Sequence, residues 1–420
     1  MKRLLVLSLI IVTLASCSNT NQGELVGVRK KTQQFYQPDP YGMVFVPMGS
    51  YTMGVGGQDV ASGLLTQPKT ISISSFFMDE TEITNNEYRE FVAWVRDSIA
   101  RTLLGEIRPD EYLISENHKT GEIYDPPYLN WNEEIEWNSA DQDIREALAE
   151  MYFPEHERFF GRNEIDTRKL FYEYFWIDLH AAAKKEFRND ADYRNAGLAN
   201  RPQGMTDRST YIKKERINVY PDTLAWLHDY SYSFNDPLTE KYFWHRAYDN
   251  YPVVGVNWNQ AKAFCIWRTE KLNKFYKSQK GDVTLSEFRL PTEAEWEFAC
   301  RGGLNTKGLR FSGSDKVDEV AWFDYNSNGK VHPIKEKQPN ELGLYDMSGN
   351  LFEWCYDWYT RYSGESLVNP QGPATASRRV LRGGCWNYSS RNCRSSYRLN
   401  DSPHHADSYY GLRLAMSVVK

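Results

Sequence analysis

The most reactive side chains in this 420-residue chain are its six cysteines, and five of them, Cys265, Cys300, Cys355, Cys385 and Cys393, lie in its second half. Thiolates are nucleophiles and the favoured ligands of soft metals such as copper(I). Oxygen-donor chemistry has its own candidate in the run GLYDMSGNLFEW from Gly343 to Trp354, where Asp346 and Glu353 flank a glycine turn. Histidines offer less. His404 and His405 are adjacent, a spacing that rarely chelates one ion without a third ligand, and His180, His228 and His245 show no metal-ligand spacing. No nucleophile elbow marks a Ser-His-Asp hydrolase.

The sixth cysteine, Cys17, has a different context. Lys2 and Arg3 precede an apolar run from Leu4 to Leu14, the n-region and h-region of a secretory signal, too short to remain as a spanning helix. The run closes on Leu14-Ala15-Ser16-Cys17, which resembles a bacterial lipobox. Residues 1–16 are therefore expected to be a lipoprotein signal peptide and Cys17 the lipidated residue, held by several acyl chains at about 0.8 kcal/mol per buried methylene. Ser18 follows the cysteine where Asp would signal inner-membrane retention, so the expected location is the outer membrane. The competing reading is an ordinary secreted protein with a cysteine at the cleavage point. Residues 17–40 end in Pro38-Asp39-Pro40 and read as a tether. With Cys17 committed to lipid, five cysteines remain, an odd number that excludes a fully disulfide-stapled scaffold.

Composition narrows the class further. Fifty basic against 56 acidic residues, a net charge of −6, leave no electrostatic footprint for nucleic acid, and none is expected as a partner. Aromatic residues make up 15% of the chain, which suits a loop-rich fold packed by large side chains that keep a polar handle.

The elements that must position these residues are legible in places. Strand-like runs lie on either side of Pro47-Met48-Gly49, and a third covers Ile71 to Met78. Thr84 and Glu87 have capping-box spacing, followed by Tyr88, Phe91, Val92, Val95 and Ile99 at helical intervals, so a helix is predicted from Thr84 to about Leu104. A second is predicted from Trp258 to about Phe275 with Asn257 as cap, and a third from Thr292, where Glu295 repeats the box. Few helices among short strands and long loops predict an α+β domain over residues 41–420. Its inserted region, about residues 100–250, is too aromatic for a disordered loop. It either packs over the core or offers a partner-binding surface.

Read in order, Met78-Asp79-Glu80-Thr81-Glu82-Ile83-Thr84-Asn85, Pro252-Val253-Val254-Gly255-Val256-Asn257-Trp258, RLPTEAEWEFACRGG (289–303), GLYDMSGNLFEW, RGGCW (382–386) and Gly411-Leu412-Arg413 resemble the successive signatures of the formylglycine-generating-enzyme (sulfatase-modifying factor) family. The resemblance implies that family's duplicated, C-type-lectin-like fold with little regular structure. It also implies a copper(I) site built on two cysteines that oxidises a substrate cysteine to formylglycine. Here the first of those positions falls at Tyr388 and the second at Cys393. A phenol cannot replace a thiolate for copper(I), and Cys385 leaves the backbone three residues early, so the expectation is a non-catalytic relative with vestigial positions Tyr388, Cys393 and Cys385. Cys265 and Cys300 are expected to be reduced and buried. For calcium, the resemblance places ligands on the Asp346 carboxylate, the Gly349 and Leu351 carbonyls and the Glu353 carboxylate, an all-oxygen set that a hard divalent cation selects. The alternative is that Asp346 caps the turn and Glu353 salt-bridges an arginine.

Within the family, the lipobox, the opening GELVGV, the Gly42-Met43-Val44 strand and the run from Phe91 to Ile99 are similar to the GldK/PorK-type lipoproteins of gliding motility and type IX secretion. That resemblance implies a periplasm-facing outer-membrane scaffold in a homo-oligomeric ring with a GldN/PorN-type partner. The alternative function is the copper-dependent oxidase.

Overall fold

The computed structural model describes residues 37, 39–54, 68–117, 120–178, 212–227, 241–280, 285–362 and 364–418. The signal run, Cys17, most of the tether, His180 and His228 lie outside the described residues. No described helix is long and apolar enough to cross a membrane.

The domain is mixed α+β. β1 (Met43–Val46) and β2 (Gly49–Met53) enter different sheets. The run expected as one strand from Ile71 to Met78 is two, β3 (Lys69–Ile73) and β4 (Phe76–Asp79). The break falls at Ser74-Ser75, where the Ser74 amide leaves the ladder and donates to Asn369 Oδ1 at 2.8 Å. β4 then sits inside the sheet ordered β1, β4, β15 (Ala415–Ser417), β9 (Phe288–Arg289). All four of its residues are buried, and the Ile71–Met78 run serves two sheets rather than one long strand.

Helix α1 (Asn85–Ile107) starts at the predicted Thr84–Glu87 capping box and buries Tyr88, Phe91, Val92 and Val95. Helix α3 follows the inserted α2 (Gln142–Ala149) and spans Trp258–Lys280, a turn beyond the expected end. Asn257 and Gln260 cap it reciprocally, at 3.0 and 2.9 Å. Helix α4 (Glu293–Cys300) carries the third predicted box, Thr292 with Glu295.

The inserted region contributes the hairpin β5 (Leu113–Glu116) and β6 (Ile123–Leu129), then α2, then the ribbon β7 (Phe171–Ile177) and β8 (Ile212–Asn218). α2 buries Ile144 and Leu148 against Ala100 and Leu104 of α1. The ribbon packs Tyr172 against Phe91 and Trp94. A second four-stranded sheet, ordered β13 (Leu399–Asp401), β12 (Arg379–Arg382), β10 (Phe352–Trp358), β14 (Tyr410–Gly411), carries the glycine turn and the RGGCW run at the same end, where Glu353 lies opposite Arg382 and the Gly349 amide donates to the Gly383 carbonyl at 2.9 Å. β11 (Leu367–Val368) joins β3 and β2.

Candidate functional site

The turn before β10 is built by backbone conformations few residues adopt. Asp346, Gly349 and Asn350 have φ of 57°, 79° and 60°. A Cβ on Gly349 would lie 2.3 Å from the Trp322 carbonyl oxygen, so only glycine fits there. The Asn350 amide donates to that same carbonyl at 2.9 Å. Its side chain ties the turn to a loop and a strand end: Nδ2 donates to Glu82 Oε2 at 2.8 Å, and Oδ1 accepts from the His332 amide at 3.1 Å.

Three carboxylates converge behind this turn. Glu82 accepts from the Leu351 amide at 3.0 Å and is fully buried. Asp346 accepts from the Lys335 amide at 2.9 Å. Glu353 holds Arg413 through Nε and Nη2, the latter at 2.8 Å, and accepts from Trp296 Nε1 at 2.7 Å. Burial pushes the Glu82 carboxyl well above its ordinary range, with Asp346 and Glu353 adding to the rise. Burial likewise pushes Asp346 up to about 6, against the opposing pull of the Lys335 amide and Arg413. One guanidinium among three buried carboxylates leaves a deficit of positive charge, which protons or a cation must supply.

That arrangement tests the calcium set. The charge deficit and the carboxylate of Asp346 beside a carbonyl-rich turn suit a hard cation. Glu353 does not, as it stands, because its oxygens are taken by Arg413 and Trp296; of the two roles the sequence left open for it, the arginine pairing is the one present. Among the described residues no group of three or more His, Cys, Asp or Glu side chains is placed to hold a metal. Glu82, Arg413 and Trp296 escaped sequence reasoning as site residues. No sequence signal set Glu82 apart from Asp79 and Glu80, the other acidic residues of Met78-Asp79-Glu80-Thr81-Glu82-Ile83.

The cysteine positions are also fixed. Cys265, Cys300, Cys355 and Cys393 are free thiols and, like Cys385, buried. Cys385 belongs to the main core with Phe352, Trp354 and Trp386. Cys393 belongs to a small separate cluster with Phe311, Val320, Ala321 and Phe323, and burial pushes its thiol far up, away from the thiolate form. Gly384 (φ 82°) lies so close that a Cβ there would meet Cys393 Sγ at 2.8 Å. Tyr388, half-buried, packs edge-on to Phe352 at 5.3 Å and against Tyr409 at 5.6 Å.

Beneath RGGCW a charge network braces α4. Arg382 pairs with Glu297, which also holds Arg301 at 2.8 Å, and Arg398 holds Glu293 at 2.7 Å. His405 donates through Nδ1 to Asp401 at 2.6 Å, and His404 Nδ1 faces Asn259 Nδ2 at 3.1 Å. Both histidines border a groove of about 450 Å³ with Tyr220, Asp222 and Asn257. His245 stands apart, capping a short turn at Ala247.

The chain is 26% identical over 367 residues to a serine/threonine-protein kinase pkn1 of Chlamydia caviae, covering 84% of this chain and 52% of that protein. It is 34% identical over 185 residues to the formylglycine-generating enzyme of Streptomyces coelicolor, covering 40% of this chain and 52% of the enzyme. The chain thus spans about half the length of these relatives. Among solved structures, CarF aligns over 90% of this chain and 99% of its own at 19% identity and a TM-score of 0.42. The sulfatase-modifying factor enzyme 1-like domain matches residues 28–418, nearly the whole of the chain, and the protein belongs to that family.

Proposed function

We propose that the protein is a non-catalytic member of this family, a lipid-anchored scaffold facing the periplasm from the outer membrane. In this reading it is a ring component of the type IX secretion and gliding machinery, with a GldN/PorN-type partner. The observation that carries the non-catalytic half is Tyr388: a phenol packed between Phe352 and Tyr409 stands at the position the family resemblance gives to the first copper cysteine. The glycine turn is proposed to hold calcium through Asp346 and the Gly349 and Leu351 carbonyls, with Glu353 joining only if it exchanges Arg413 for the ion.

The second reading, a copper-dependent oxidase making formylglycine, is favoured by relatives that carry that name. One assay separates the two. The protein is loaded with copper(I) and offered a cysteine-containing peptide in oxygen. The scaffold reading expects no aldehyde product and no tight copper binding; turnover that disappears in Cys393→Ala would overturn it.

A further inference from the structure

The inserted region carries two surfaces of opposite charge that the turn and the cysteine positions do not use. Among the described residues, β7 and β8 pair only with each other, in register from Phe171 opposite Asn218 to Ile177 opposite Ile212. One face of the ribbon is spent on the core. Tyr172 and Tyr174 are buried, and Glu215 turns inward to accept from Tyr174 Oη at 2.5 Å and Trp176 Nε1 at 2.7 Å while pairing with Lys262.

The opposite face is left in water. Phe175, Ile177 and Ile212 are 62%, 54% and 38% exposed. Lys214 lies over Phe175 and Arg216 over Phe171, and Lys214 also bridges to Glu173 at 2.6 Å. An apolar row on a ribbon with open edges is a surface that folded proteins cover or blunt. Lys214 and Arg216 against Glu173 leave this face net positive, with Arg168 and Lys169 at its base.

A counter-surface lies on the same chain. Residues 132–164 hold ten carboxylates against three arginines, and Glu133, Glu134, Asp143, Glu146, Glu150 and Glu155 are exposed. α2 fixes this limb to α1 through Ile144 and Leu148, so its charges sit on a rigid support. The 179–211 connection has six basic and four acidic residues, a net charge of the same sign as the ribbon face. An anionic membrane would attract the ribbon but repel the acidic limb close beside it, where Glu157 already reaches Arg168 at 2.6 Å. Complementary charge within one chain favours contact between copies, steering encounter and fixing register.

We propose that the outer face of the β7–β8 ribbon docks on the acidic 132–157 limb of a second copy of this chain, with Lys214 and Arg216 meeting its carboxylates while Phe175, Ile177 and Ile212 leave water. This deepens the scaffold reading by naming the self-association face, and its test uses the purified full chain in detergent without any periplasmic partner. Failure here therefore leaves partner capture, the readout of the scaffold reading, untouched.

The experiment pairs two charge reversals, Lys214→Glu/Arg216→Glu on the ribbon and Glu133→Lys/Glu134→Lys/Glu150→Lys on the limb. Each alone is expected to weaken self-association, read by mass photometry, by about tenfold or more. Mixing the two variants restores it, since each then offers the other an opposite charge at both faces. Carbodiimide cross-linking of isotopically mixed wild-type copies needs no variant and is expected to join Lys214 of one copy to the 133–157 carboxylates of another. Unchanged association of either reversed variant, no rescue on mixing, or cross-links confined within single chains would overturn the proposal. So would a ribbon reversal that abolishes binding to vesicles of equimolar phosphatidylglycerol and phosphatidylethanolamine while self-association persists.

Discussion

Replacing Asp346 by Asn isolates the charge deficit at the glycine turn. Asn is tolerated at the φ of 57° found there, and its side-chain carbonyl can still accept from the Lys335 amide, so the substitution changes charge more than shape. Burial raises the Asp346 carboxyl from its ordinary 3.8 to about 6. Because the folded state binds that proton more tightly than the unfolded chain, stability falls as pH rises through this window. The cost is absent below about pH 4 and complete above about pH 6. At about 1.4 kcal/mol per pH unit, it amounts to about 3 kcal/mol at neutral pH. Asp346→Asn is therefore expected to be the more stable protein at pH 7 in chelator, by up to that amount, and to match wild type near pH 4. Urea denaturation across pH 4 to 8 measures this. Calcium should reverse the order, because an ion bound to the folded state stabilises wild type by mass action and the Asn variant less. A variant less stable than wild type in chelator at pH 7, with a parallel pH profile, would refute the reasoning.

Three other outcomes follow from the same geometry. Gly349→Ala forces a Cβ to 2.3 Å from the Trp322 carbonyl at a φ of 79°, and a loss of about 2–4 kcal/mol is expected in the same denaturation assay. Glu353→Gln leaves the fully buried Arg413 without its anion and should cost about 3–5 kcal/mol; adding Arg413→Met should recover part of it. Tyr388→Phe and Cys393→Ala, which touch only the vestigial positions, are expected to leave membrane anchoring and partner capture unchanged, as read by co-purification.

The sequence revealed most where the information was local. Capping boxes at Thr84 and Thr292, and the cap at Asn257, depend on side chains three residues from the amides they satisfy, and all three helices begin as predicted. The division of Ile71–Met78 was hidden because Ser74-Ser75 can be accommodated within a strand, whereas the break depends on Asn369, distant in the chain. The same limit hid the carboxylate cluster. Glu82 meets the turn across 268 residues and Glu353 meets Arg413 across 60, so no periodicity or spacing could pair them. The turn itself was legible because Asp346, Gly349 and Glu353 are close in sequence; what neutralises them was not. The two thiols were visible as residue types, but their assignment to separate clusters required the positions of Phe311 and Phe323 relative to the main core.

The most direct test of the scaffold account is recovery of the tagged protein from detergent-solubilised outer membranes, with mass spectrometry of co-purifying chains and negative-stain imaging of the particles. The account predicts stoichiometric recovery of one periplasmic partner in a large ring. A monodisperse single copy with no partner would contradict it.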